Sequence, residues 1–227
     1  MLKFFPNVLT LLNLIFGSLA IFYITTQFDF MLAWYFLLVA SFFDFFDGLV
    51  ARWVKAESAL GKELDSLSDM VTFGVFPAIF FLMFFKLIPL IDFVYAFVYV
   101  PGLVYIICVA LRLAKFNVDS TSGDHFKGLP SPAAALLLVS SLLFLSDYFT
   151  MDTFLFFEVI VSLFMIVPVP LESLKMKTTS SKILVVTLGA ISIVSIFTLQ
   201  WKGVPLIVGA YYLMGFLFYQ LRKKAIF

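Results

Sequence analysis

Apolar residues run along this chain in long blocks separated by short polar stretches. The blocks lie at roughly 8–26, 31–52, 68–86, 91–116, 131–149, 153–170, 181–199 and 203–220. Each is close to the ~20 residues an α-helix needs to cross the hydrocarbon of a bilayer. They predict an all-α, polytopic membrane bundle of about eight transmembrane helices. The last two blocks could instead form a single hairpin partly outside the main bundle. The domain division that follows is a membrane core over 1–170 and a C-terminal linker with a helix pair over 171–227.

Composition agrees with the pattern. Of 227 residues, 63% are hydrophobic and 13% charged, and Phe alone supplies 31. The mean hydropathy of +1.10 is far from that of a soluble domain. The net charge of +1 says nothing about nucleic acid, and no long basic run suggests it as a partner. Cys108 is the only cysteine, which excludes an intrachain disulfide and a Cys-cluster metal site. The single histidine, His125, lies in the polar loop 117–130 and is expected to be solvated. No small-residue cleavage pattern follows the first block, so no removable signal peptide is expected.

Charge also orients the chain. With the N-terminus inside, one membrane side collects Lys3, Arg52, Lys55, Lys62, Arg112, Lys115, Lys127, Lys175, Lys177, Lys182, Arg222, Lys223 and Lys224. The other side receives only Lys86 and Lys202. This bias predicts a cytoplasmic N-terminus and an even number of spans. Pro6 suits a helix start, where a missing N–H costs nothing. Asn7, Thr10 and Asn13 follow at i, i+3 and i+6 and share one helix face. They are either a cap with interhelical hydrogen bonds or a polar face turned toward a headgroup. The stretch 171–182 is a basic linker suited to an anionic leaflet.

The most unusual polar positions lie between Asp44 and Asp69. The chain there runs D-F-F-D-G-L-V-A-R, then eight residues, then G-K-E-L-D-S-L-S-D. Asp44 and Asp47 share a helix face at i, i+3, and Asp65 and Asp69 do so at i, i+4. Gly48 and Ala51 keep the first face shallow. The residues between Arg52 and Gly61 are expected to form a short cytoplasmic turn, and Gly61 can take conformations other residues resist. Two antiparallel helices would bring four carboxylates together, and Arg52 alone could not neutralise them. Carboxylates at membrane depth are costly and mark functional sites. Oxygen donors without His or Cys favour hard divalent cations such as Mg²⁺ or Mn²⁺, two of which can clamp a pyrophosphate. Interhelical polar contacts, or a proton or cation pathway, remain the alternative uses of such charges.

The pattern D-x2-D-G-x2-A-R-x8-G-x3-D-x3-D resembles the motif of the CDP-alcohol phosphatidyltransferase family. Asp44, Asp47, Gly48, Ala51, Arg52, Gly61, Asp65 and Asp69 match every fixed position. The resemblance implies that Asp44, Asp47 and Asp65 bind metal, and that Asp69 binds metal and acts as the base. It further implies that Asn7, Thr10, Gly48, Ala51, Arg52, Ser58 and Gly61 lie against the CDP group. L-T-L-L-N-L-I-F-G near the N-terminus, R-L-A-K-F-N at 112–117 and F-K-G-L-P-S-P at 126–132 are similar to the membrane-integral members that use L-serine. Lys115 stands where those members commonly carry Arg. The likeness covers about residues 1–170, and the family core is usually six spans, so the last two blocks look like an extension.

The expectation is therefore transfer of a phosphatidyl group from CDP-diacylglycerol to the hydroxyl of L-serine, with release of CMP. Serine carries a carboxylate, for which Arg112, Lys115, Asn117 and Lys127 are the candidate contacts. The resemblance also implies a homodimer, and the Lys/Arg bias puts the site on the cytoplasmic face of the cell membrane. Two other readings stand beside it: a member that uses glycerol phosphate or inositol, and a non-enzymatic cation transporter.

Overall fold

The computed structural model describes residues 5–54, 58–87, 92–118, 126–167, 169–171 and 179–225. Lys3, Lys55, His125, Lys175 and Lys177 lie outside them, as do the side chains of Lys127, Lys182 and Arg222 to Lys224. Helices stand at all eight predicted places: α1 (Phe5–Thr26), α2 (Phe30–Val54), a bent rod of α3 (Ala59–Asp69) and α4 (Phe76–Lys86), α5 (Asp92–Val118), α6 (Ser131–Leu145), α7 (Met151–Ile166), α8 (Thr179–Leu199) and α9 (Val204–Ala225). The only strands among the described residues are β1 (Phe126–Lys127) and β2 (Pro170–Leu171), paired antiparallel.

Among the described residues, five stretches are long and apolar enough to cross a membrane: Phe5–Thr26, Phe30–Val54, Ala59–Lys86, Phe97–Val118 and Ile183–Gln220. Helices α6 and α7 are shorter, with 15 and 16 residues. The predicted block 153–170 stops early because Val167 turns to ψ 126° ahead of Pro168. A residue before proline is pushed out of the helical region. α8 and α9 fold back on each other across a 3₁₀ turn, Gln200–Gly203. The pair is not detached, since α9 packs on α6 and β2.

The third rod departs most from expectation. Its apolar block begins near residue 68, yet the helix starts at Ala59. Ser58 caps it by accepting from the Gly61 N–H at 3.0 Å. Its first three turns are polar, carrying Lys62, Glu63, Asp65, Ser66 and Asp69, so hydropathy alone does not find them. Between α3 and α4 the rod passes through a π-helical turn, Met70–Val75. Such turns add a residue and recur at functional sites. Pro77 follows and has no N–H to offer the Phe73 carbonyl four residues back. The Tyr105 hydroxyl of α5 donates to that carbonyl at 2.7 Å instead.

The core surrounds this rod. Phe73, Phe76, Phe80, Phe81 and Phe85 are fully buried together with Trp34, Tyr105, Leu138 and Leu142. Phe30 of α2 meets Phe80 edge-on at 5.3 Å. Large apolar side chains such as Phe22, Phe45, Phe97 and Phe197 point outward, as a lipid-facing surface requires. Replacing Tyr105 by Phe keeps the packing and removes one donor to a buried carbonyl. The expected cost is about 1–3 kcal/mol, read as a lower thermal midpoint in detergent. An unchanged midpoint would mean that the π turn does not depend on this contact.

Candidate active site

α1, α2 and α3 meet side by side and bring the polar positions of the sequence together. The carboxylates of Asp44 and Asp47 on α2 and Asp65 on α3 each offer an oxygen within 4.8 Å of the others. Asp47 is buried, and the other two are half-buried. Three like charges this close repel unless a cation lies among them. Asp65 Oδ1 is buried without a hydrogen-bond partner, as a ligand atom awaiting its ion would be. All the donors are hard oxygens, so the residues fit a hard divalent cation. Asp69 stands beside these three, its carboxyl hydrogen-bonded with that of Asp44. It sits one turn beyond Asp65, only 8% exposed, and its Oδ1 accepts from Asn13 Nδ2 at 3.3 Å.

The polar face of α1 is spent on holding these carboxylates. Thr10 Oγ1 lies 2.7 Å from Asp47 Oδ2 and 3.1 Å from the Pro6 carbonyl, so one hydroxyl hydrogen serves both. Ser68 Oγ donates to the Thr10 carbonyl at 2.9 Å, and Thr72 Oγ1 to the Asn13 carbonyl at 3.3 Å. These contacts need the two backbones close, and Gly17 supplies the closeness. A Cβ there would fall 2.1 Å from Thr72 Oγ1. Of the two uses open to Asn7, Thr10 and Asn13, interhelical bonding accounts for Thr10 and Asn13. Asn13, Ser68, Thr72 and Gly17 were not marked as site residues by the motif. The polar stripe on α1 was the available signal for Asn13.

The remaining expected positions separate into groups. Asn7, Ser58 and Gly61 come together: a Cβ on Gly61 would lie 3.1 Å from both Asn7 Oδ1 and Ser58 Oγ. Gly48 faces open space, with nothing within 4 Å of a built Cβ. Ala51 is half-buried and Arg52 is exposed at the end of α2. Asn117 is engaged through its amide nitrogen and its backbone carbonyl, while its Oδ1 is buried without a hydrogen-bond partner. Its Nδ2 donates to Ser66 Oγ at 2.9 Å and its carbonyl accepts from Lys62 Nζ at 2.7 Å, docking the end of α5 on α3. Arg112 shares the α5 stripe of Tyr105 and Val109 and donates from Nη1 to the Met165 carbonyl at 3.0 Å. Lys115 is exposed, and Lys127 is described only by its backbone in β1.

A profile of the CDP-alcohol phosphatidyltransferase family matches residues 3–173. The chain belongs to that family of transferases. Among curated relatives, it is 37% identical over 139 residues to the CDP-diacylglycerol–serine O-phosphatidyltransferase of Bacillus subtilis, covering 61% of this chain and 75% of the relative. It is 29% identical over 231 residues to the enzyme of the same name from Helicobacter pylori (strain 26695), covering 94% and 90%. The archaetidylserine synthase of Methanothermobacter thermautotrophicus is 35% identical over 163 residues, covering 71% and 66%.

Proposed function

We propose that this chain transfers the phosphatidyl group of CDP-diacylglycerol to L-serine, giving phosphatidylserine and CMP. The observation that carries the reading is the set of three carboxylates from two helices within 4.8 Å, in a chain whose curated relatives are named for that reaction. Asp44, Asp47, Asp65 and Asp69 would hold the metal, two Mg²⁺ or Mn²⁺ ions. When bound, such ions neutralise a pyrophosphate and stabilise its leaving group.

The chain's own residues account for the rest. Asn7, Thr10, Gly48, Ala51, Arg52, Ser58 and Gly61 form the CDP side, with Gly48 leaving room for the ligand and Thr10 acting through Asp47. Asp69, fixed by Asn13, takes the proton of the serine hydroxyl. The serine oxygen forms its bond to the phosphorus that carries diacylglycerol, and the bond from that phosphorus to CMP breaks. Arg112, with Lys115 and Lys127, meets the serine carboxylate, while Asn117 acts by tying α5 to α3. Residues 1–170 form the catalytic core. The distribution of Lys and Arg favours a site on the cytoplasmic face of the cell membrane, and the family resemblance favours a homodimer.

The test supplies purified protein with Mg²⁺ or Mn²⁺, CDP-diacylglycerol and a panel of alcohols. Serine-dependent CMP release is expected, and chelation of divalent metal should abolish it until metal is restored. Release with glycerol phosphate or inositol but not serine would move the chain to another acceptor within the family. Ion flux through proteoliposomes with no CMP release from any alcohol would overturn the enzymatic reading.

A further inference from the structure

Asn13 is completely buried, yet only half of its side-chain amide is used. Its Nδ2 donates to Asp69 Oδ1 at 3.3 Å. Its Oδ1 is buried and has no hydrogen-bond partner. The amide is not free to turn away and find one. Thr72 Oγ1 donates to the Asn13 carbonyl at 3.3 Å, and Ser68 Oγ to the Thr10 carbonyl, about one turn earlier, at 2.9 Å. Gly17, about one turn later, lets α1 lie against Thr72. The backbone on either side of residue 13 is thereby fixed to the segment that carries Asp69. Reversing the amide would set Oδ1 against Asp69 Oδ1, an acceptor facing an acceptor.

A buried acceptor left unpaired costs free energy, which a donor on a ligand can recover. A substrate that brings its hydroxyl to Asp69 comes within reach of the amide bonded to Asp69. An amide oxygen only accepts. The carboxylate of serine has no hydrogen to offer, and its hydroxyl hydrogen goes to Asp69. The ammonium is left, on the carbon next to the one that bears the hydroxyl, with three N–H groups to give. An N⁺–H donor makes the stronger, charge-assisted bond. The Asp69 carboxylate alongside also favours a cation over a neutral group.

We propose that Asn13 Oδ1 accepts a hydrogen from the ammonium of the acceptor while Asp69 takes the hydroxyl proton, so that α1 selects alcohols with an amine on the neighbouring carbon. The proposal rests on the reading of Asp69 as the base for L-serine.

The test measures steady-state CMP release by full-length wild type, Asn13→Ala and Asn13→Asp with divalent metal and saturating CDP-diacylglycerol, varying either L-serine or 3-hydroxypropionate. The second acceptor keeps the hydroxyl and the carboxylate and lacks the amine. For wild type, the expected KM for L-serine lies about tenfold or more below that for 3-hydroxypropionate. In Asn13→Ala the two KM values should come within about twofold of each other, while kcat falls by a common factor through the displaced Asp69. Asn13→Asp loses the donor to Asp69 but keeps an oxygen for the ammonium, so kcat should fall and the preference for L-serine should remain. Equal KM values in wild type, or an undiminished preference in Asn13→Ala, would overturn the proposal and leave serine-dependent CMP release, and so the assigned reaction, standing. Loss of the preference in an Asn13→Asp chain whose thermal midpoint is near that of wild type would refute it as well. No CMP release from wild type with any alcohol would sink the reaction and the proposal together. Where turnover is too slow to measure, equilibrium binding of the two acceptors to the folded, metal-loaded protein replaces KM, and the same ratios decide.

Discussion

CMP release by the Asp69→Asn chain is expected to fall about a hundred- to ten-thousandfold, the usual weight of a positioned proton acceptor. The fold should survive the change. An asparagine at 69 keeps its shape and an oxygen able to accept from Asn13 Nδ2, as Asp69 Oδ1 does at 3.3 Å. The loss should therefore come with a thermal midpoint near that of wild type. Asn13→Ala tests the same arrangement from the other side. It leaves Asp69 in place without its donor, and a smaller loss of about tenfold is expected from the misplaced carboxylate. If Asp69→Asn releases CMP within about fivefold of wild type, Asp69 is not the proton acceptor and the assignment has to pass to another residue.

The second large effect is expected far from any carboxylate. Gly17→Ala puts a methyl group 2.1 Å from Thr72 Oγ1, 2.8 Å from its Cβ and 3.0 Å from its Cα. A side chain could rotate away from such a clash, but a Cα cannot, so α1 must lift from the π turn. That movement strains the bonds that depend on the approach: Thr10 to Asp47, Ser68 to the Thr10 carbonyl and Thr72 to the Asn13 carbonyl. Overpacking costs about 1–3 kcal/mol and each lost hydrogen bond about 1 kcal/mol more. The combined effect should exceed about 3 kcal/mol and lower both the thermal midpoint and CMP release, although residue 17 touches no ligand. A Gly17→Ala chain with wild-type stability would show that α1 does not pack on this turn as described.

Much of this architecture could be read before any coordinates. The apolar blocks announced the helices, because lipid-facing and core-facing positions are both apolar and leave runs that hydropathy detects. The four aspartates stood out because charge in such runs is rare. Three features escaped in whole or in part. The i, i+4 spacing of Asp65 and Asp69 already put the polar start of α3 on a helix, but its low hydropathy kept it out of the span at 68–86. The π turn is a slip of one residue, and periodicity in a uniformly apolar run such as M-V-T-F-G-V does not record it. The contact of Tyr212 on α9 with Phe164 on α7 joins distant positions, and nothing local in either segment encodes it.

The π turn at Met70–Val75 has a further consequence. In an α-helix each residue advances the side chains by about 100°, so the surplus residue puts α3 and α4 out of phase. The carboxylates of α3 and the phenylalanine ladder of α4 can then each face the partner that suits them, though one continuous rod carries both. The turn behaves as a slipped gear between two halves of a shaft. Deleting one residue within it would restore the phase and swing Asp65 and Asp69 about a quarter-turn relative to the core. Substitutions in the ladder, by contrast, can accumulate without turning the carboxylate end.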